Sequence, residues 1–210
     1  MSHVLYSYRR CPYAMRARLT LIYAGIDFQV REIELRSKPK SMLEISPKGT
    51  VPVLLTKDQL VIEESLDIML WALTQNDPDL WLPKEDTLLR ENMNRWITLN
   101  DGSFKTLLDQ YKYPQRYPII NSQETLEKSI SIYLQPLDEL LSKSKFLLGN
   151  SITMLDVALF PFVRQFYKVN ENQFEKLSLK FLTEWLNFFI LSDLFHKAMA
   201  KYPVWRDDYQ

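Results

Sequence analysis

The apolar positions of the first eighty residues alternate between two spacings. Val4-Leu5-Tyr6-Ser7-Tyr8 is a short apolar run of strand length. Tyr13–Ala24 then keeps helical spacing, with Pro12 suited to the first helical position and Gly25 to the residue just past the end. Phe28–Leu35 alternates in part, through Phe28, Val30, Ile33 and Leu35, and predicts a second strand. A polar stretch around Ser37–Lys40 leads to a short helical piece near Met42–Ile45. Val51–Thr56 and Leu60–Ile62 form a hairpin pattern with Lys57-Asp58-Gln59 as its turn. Ser65–Gln75 returns to the helical period through Leu66, Met69, Leu70 and Leu73. The predicted order is βαβαββα.

Asn76-Asp77-Pro78-Asp79-Leu80-Trp81-Leu82-Pro83 interrupts this pattern with two prolines and short polar residues, the composition of a linker. Beyond it the signal is helical, over roughly 87–111, 122–143, 153–167 and 174–191, with a short piece near 193–201. The expected organisation is an α/β domain over 1–76, a linker over 77–86 and an all-α domain over 87–210. Thr153-Met154-Leu155-Asp156 has the form of a capping box, flanked by Ile152 and Val157 at the positions of a hydrophobic staple. Helix initiation accounts for Asp156 without a catalytic role.

Composition narrows the function classes. The chain has 210 residues, of which 46% are hydrophobic and 25% charged, as in ordinary globular proteins. Lys+Arg and Asp+Glu are 26 each, so the basic surplus of a nucleic-acid binder is missing. No apolar run reaches the length of a membrane span, and the first strand begins almost at once, so neither an anchor nor a secretory leader is expected. One cysteine cannot close an internal disulfide, which points to a reducing cytoplasm. With two histidines, His3 and His196, no metal site is expected.

That cysteine is Cys11, in Tyr8-Arg9-Arg10-Cys11-Pro12-Tyr13-Ala14. Between a strand and a helix opened by Pro12, it falls at or near the N-cap. A thiol there faces unpaired N–H groups and the positive end of the helix dipole, with Arg9, Arg10 and Arg16 adding charge. Such cysteines commonly ionise between roughly pH 3.5 and 7.5. The alternative is an inert, buried cysteine acting as a small hydrophobe. A Cys-Pro step opening the first helix of a βαβαββα unit points to a thioredoxin-like fold.

Several segments together resemble the cytosolic glutathione transferase superfamily, nearest its cysteine-type, omega-like branch. These are Cys11-Pro12-Tyr13-Ala14 with Arg16-Ala17-Arg18-Leu19, Lys38-Pro39, Ser46-Pro47-Lys48-Gly49, Thr50-Val51-Pro52-Val53-Leu54, Glu63-Glu64-Ser65, and then Gly149, the capping box and Pro161. The resemblance spans nearly the whole chain, on four motifs in the correct order rather than on one strong motif. It implies a thioredoxin-like N-terminal domain followed by an all-helical one, with glutathione as co-substrate and Cys11 as nucleophile. It also implies a glutathione site. Ser65, opening a helix, would meet the γ-glutamyl carboxylate and Glu64 the neighbouring ammonium. Val51, before a cis proline, would pair with the backbone of the cysteine portion, and Lys38 would face the glycine carboxylate. Plain helix capping at Ser65 and a solvated loop lysine at Lys38 are the alternatives.

Ala14 stands where a dithiol glutaredoxin has its second cysteine, so Cys11 must act alone. A lone thiolate exchanges through a glutathione mixed disulfide that a second glutathione resolves. A tyrosine- or serine-type transferase would instead hold glutathione's thiolate with a hydroxyl, for which Tyr6, Ser7, Tyr8 and Tyr13 are the nearby groups. The expected activity is a glutathione-dependent thiol transferase or reductase acting on a small-molecule or protein disulfide. A glutathione-conjugating transferase for apolar electrophiles and a non-enzymatic binding protein on the same fold are the alternatives. The resemblance further implies a homodimer, with no nucleic-acid or membrane partner.

Overall fold

Every second residue of a strand faces the same side of its sheet, and the first strand sorts its side chains accordingly. In the computed structural model, which describes residues 2–83 and 86–208, β1 (His3–Ser7) runs parallel to β2 (Phe28–Glu32) and antiparallel to β3 (Val53–Leu55). β4 (Val61–Ile62) closes the hairpin with β3, and the strand order is β2-β1-β3-β4. Leu5 pairs with Leu54, and both turn to one face. There they pack with Ala17 and Leu21 of α1 (Pro12–Tyr23) and Ile68 and Ala72 of α3 (Ser65–Gln75). Tyr6 pairs with Val53 on the other face, against Ile33, Met42 of α2 (Lys40–Ile45) and Trp205. The unit is therefore βαβαββα, a thioredoxin-like arrangement.

Local chemistry sets the boundaries. Gly25 sits past the end of α1 at φ +67°, a left-handed conformation that costs glycine little. Gln59 adopts φ +65° in the hairpin turn, where Thr56 N–H donates to the Leu60 carbonyl at 2.8 Å. β2 ends at Glu32, earlier than the alternation through Leu35 predicts, because the chain turns away into a Glu34–Ser37 bridge.

Contacts divide the chain into two compact units, Met1–Asp79 with Ser192–Gln210, and Leu80–Leu191. The carboxyl-terminal stretch, expected with the helical domain of 87–210, packs instead on the sheet-containing unit. Lys84 and Glu85 of the expected linker lie outside the described residues.

The helical unit carries α4 (Thr87–Leu99), α5 (Lys105–Lys112), α6 (Ser122–Ser129), α7 (Gln135–Leu141), α8 (Met154–Tyr167), α9 (Glu171–Glu175) and α10 (Lys180–Ile190). α4 continues into α5, and α6 into α7, each through one widened turn over Asn100–Phe104 and Ile130–Leu134. In the second turn Gln135 N–H reaches back to Ile130, next to Pro136, which has no N–H to give. The single apolar stretch expected over 174–191 is in fact two helices, broken where Ser178 takes φ +57°. Phe104 and Tyr133 stack at 3.8 Å in the core, and the Tyr133 hydroxyl donates to Asn100 Oδ1 at 2.6 Å.

The box at the start of α8 forms. Asp156, wholly buried, accepts from Thr153 N–H and hydroxyl, each at 2.9 Å, and from Leu147 N–H and Trp185 Nε1–H, each at 3.0 Å. Burial pushes its carboxyl above the ordinary value, against the pull of these donors. Its contacts are those of a joint between α8, α10 and the loop before them.

α11 (Asp193–Ala198) and the tail beyond it belong to the first unit. Val204 bridges Glu32 in parallel, and Trp205 N–H donates to the Glu32 carbonyl at 2.7 Å. The tail thus extends the sheet past β2. Among the described residues no helix is long and apolar enough to cross a membrane.

Candidate active site

Cys11 is the N-cap of α1, with Pro12 in the first turn where its missing N–H costs nothing. Its backbone N–H donates to the Tyr8 carbonyl at 2.9 Å, and its carbonyl accepts from Met15 at 2.9 Å, which places the side chain at the mouth of the helix. The side chain is partly exposed, not sealed in the core. As a neutral thiol it donates towards the Val51 carbonyl oxygen, with Sγ at 3.7 Å. Ionisation forfeits that bond, while the dipole of α1 favours negative charge at its N-cap position.

Two arginines of α1, Arg16 and Arg18, are buried. Arg18 donates to the Ala198 carbonyl and the Arg9 carbonyl, each at 2.7 Å, to the Tyr8 carbonyl at 3.4 Å, and to the buried Ser7 hydroxyl. Burial lowers its guanidinium to about 10, with the charges of Glu32 and Cys11 opposing that shift. On the other side of the same loop, Arg9 N–H donates to Glu32 Oε1 at 2.7 Å. Burial raises the Glu32 carboxyl, opposed by that hydrogen bond and by the Arg18 and Arg9 charges. The loop bearing Cys11 is thus held through its carbonyls by a cation and through an amide by a carboxylate. Of the arginines singled out in the sequence, Arg10 lies on the Tyr8 hydroxyl at 2.8 Å, and Arg16 is fully buried with Nη1 3.5 Å from Ser65 Oγ.

Ser65 opens α3 and is itself buried, so a helix amide end and the Arg16 guanidinium meet at its hydroxyl. Glu64, the N-cap of α3, is exposed and paired with Lys48, a contact with no local sequence signature. Glu63 accepts from the Ser46 hydroxyl at 2.6 Å. The Val51–Pro52 peptide is cis. Lys38 is exposed beside Gly49, whose φ of +62° and missing side chain leave room for it: a Cβ there would lie 3.3 Å from Lys38 Nζ. Cys11 and Val51 are in contact, and Ser65 joins them through α1.

The hydroxyls that precede Cys11 have other engagements. Tyr6 is buried, accepts from Arg31 at 2.6 Å and donates to Ser41 at 2.9 Å. Ser7 lies under Arg18, and Tyr8 accepts from Arg10. The fourth candidate, Tyr13, lies in the first turn of α1 and is half-buried, with the Arg16 guanidinium over its ring at 5.4 Å.

Residues 5–80 match the family model for the glutathione S-transferase N-terminal domain, and residues 133–207 that for the C-terminal domain. The chain is 28% identical over 202 residues to pig glutathione S-transferase omega-1, spanning 95% of this chain and 77% of that one. It is 27% identical over 158 residues to Arabidopsis glutathione S-transferase DHAR2, spanning 72% of this chain and 64% of that one. A Pseudomonas fluorescens glutathione transferase family member, solved with two glutathione bound, superposes with a TM-score of 0.78 at 16% identity, covering 94% of this chain and 92% of the other.

Proposed function

The chain belongs to the glutathione S-transferase family, and from that membership we propose that this enzyme is a glutathione-dependent thiol transferase or reductase whose nucleophile is Cys11. The observation that carries the reading is a partly exposed cysteine at the N-cap of α1, with alanine three residues on. Similarity to an omega-1 transferase supports the cysteine-type assignment. The engaged hydroxyls of Tyr6, Ser7 and Tyr8 weigh against a tyrosine- or serine-type mechanism.

The Cys11 thiolate attacks the glutathione sulfur of a mixed disulfide. A Cys11–glutathione disulfide forms as the substrate S–S bond breaks, and the substrate leaves as a thiolate that takes a proton from water. A second glutathione thiolate then attacks the glutathione sulfur of that adduct. Oxidised glutathione departs and the Cys11 thiolate is restored. The net change is an exchange: the substrate is released as a thiol, and one glutathione thiol is oxidised as it joins the glutathionyl group the substrate carried, giving oxidised glutathione. Thiolates attack less eagerly as their pKa falls but leave more readily, which suits a cysteine that must do both.

In this reading the buried Ser65 hydroxyl and the amide end of α3 receive the γ-glutamyl carboxylate, with Arg16 behind them adding charge. Glu64 takes the adjacent ammonium by exchanging its exposed Lys48 partner, a bond of the weak, solvent-screened kind. Val51 pairs with the cysteine portion, and Lys38 faces the glycine carboxylate. The protein works as a homodimer in a reducing compartment.

Intact mass after incubation with oxidised glutathione tests the reading. The native chain is expected to gain one glutathionyl group, reversed by reduced glutathione, and Cys11→Ser none. A native chain that takes up no adduct, yet conjugates glutathione to an aryl halide, would transfer the assignment to a conjugating transferase.

A further inference from the structure

Resting on the glutathione-site reading, we infer that the carboxyl-terminal tail is a positioning strap for that site, and that Asp207 sets glutathione affinity by fixing the segment that carries Lys38. The tail contacts the segment's two ends in different ways. Val204 and Trp205 bind the Glu32 backbone, while the Trp205 ring stacks on the Arg31 guanidinium at 4.1 Å. Glu32 in turn holds Arg9, two residues from Cys11.

Asp207 makes the second attachment. Its carboxylate accepts from Lys40 N–H at 2.7 Å and Ser41 N–H at 3.3 Å, and from the Ser41 hydroxyl. These are first-turn amides of α2, whose own N-cap is Pro39, a residue with no side-chain oxygen to offer. The cap is supplied from a distant part of the chain instead. The Ser41 hydroxyl, then the backbone amides, hold the Asp207 carboxyl below the ordinary carboxylate range.

Lys38 lies two residues before the capped amides. It lines, with Pro39 and Lys40, one wall of a cleft of about 320 Å³ whose facing wall is Val204 to Asp207. Tyr6, from the strand that leads to Cys11, donates to Ser41 at 2.9 Å and so ties the same turn to the sheet. Asp207 touches none of the residues assigned to glutathione, so it acts through the turn it caps.

Binding then depends on the fraction of molecules with α2 in place, and removing the cap lowers that fraction. Asp207 is exposed, so its replacement leaves the core intact. Glutathione affinity measured by calorimetry is expected to fall about three- to tenfold in Asp207→Ala, and less in Asp207→Asn, which keeps one acceptor oxygen. Amide exchange at Lys40 and Ser41 is expected to quicken, while the rate of Cys11 alkylation by iodoacetamide and kcat at saturating glutathione stay at native values. In a Lys38→Ala background the Asp207→Ala effect is expected to shrink, as for residues that act through one another. Native affinity in Asp207→Ala, or an undiminished effect in the Lys38→Ala background, overturns the strap and leaves the glutathione site standing. Failure of the native chain to bind glutathione overturns both.

Discussion

Cys11→Ser is expected to lower glutathione-dependent reduction of a small glutathionyl mixed disulfide by on the order of 10³-fold or more, with the fold unchanged. The substitution is nearly isosteric, the Cys11 backbone bonds to Tyr8 and Met15 are untouched, and a serine hydroxyl can still donate to the Val51 carbonyl. The reaction, in contrast, needs the side chain to be an anion and then a leaving group. A serine hydroxyl is neither at neutral pH, even at a helix amide end, and the oxygen analogue of the mixed disulfide does not form. Glutathione affinity is expected to survive, because the proposed contacts at Ser65, Val51 and Lys38 do not involve the sulfur. Turnover followed by coupled oxidation of a nicotinamide reductant reads the first effect, and calorimetry the second. Retention of most of the disulfide-exchange rate in Cys11→Ser would remove the sulfur from the mechanism.

The largest expected loss of stability lies at Asp156, where no chemistry is proposed. Asp156→Ala strands four donors inside the helical unit, those of Leu147, Thr153 twice and Trp185. Leaving such groups unpaired in a dry interior costs about 3–5 kcal/mol in total, a large share of the stability of an ordinary domain. Asp156→Asn keeps one acceptor oxygen and is expected to cost less, about 1–3 kcal/mol.

The aspartate carries a pH signature as well. Its folded-state pKa is raised by burial, so the folded chain holds this proton more tightly than the unfolded chain does. The stabilisation from that proton is complete below the unfolded value, about 3.9, and is lost as pH rises through the folded value. Asp207, whose carboxyl is depressed, contributes with the opposite sign. The difference between native and Asp156→Asn stability, from urea titrations at successive pH values above 4, isolates the Asp156 contribution. It is expected to narrow as pH rises.

Much of this was legible because the responsible signals are local. The apolar run Val4–Tyr8 marked the first strand, and Pro12 and Gly25 bracketed α1. The Thr153–Asp156 spacing marked the start of α8. What the sequence hid is made of contacts between residues far apart in the chain. Nothing local marks Arg16 and Arg18 as buried; α1 is packed on nearly every side, so both are. Glu64 has an evident place beside Ser65, but its partner Lys48 lies in another loop. The tail's return to Glu32 and α2 left no periodic trace, since one bridge, one ring and one carboxylate make the attachment. The break at Ser178 has no signal of its own, because apolar spacing continues across it.

The return of Ser192–Gln210 to the sheet makes the unit that bears the nucleophile discontinuous along the chain. During synthesis the first seventy-nine residues emerge well before the segment that supplies the Ala198 carbonyl to Arg18, by roughly ten seconds at typical elongation rates. Until then the guanidinium has one carbonyl too few, and Arg31 has no indole to lie against. The sheet cannot reach its mature form one piece at a time from the amino terminus. A fragment cut at Asp79 would inherit the cysteine without the frame that holds its loop.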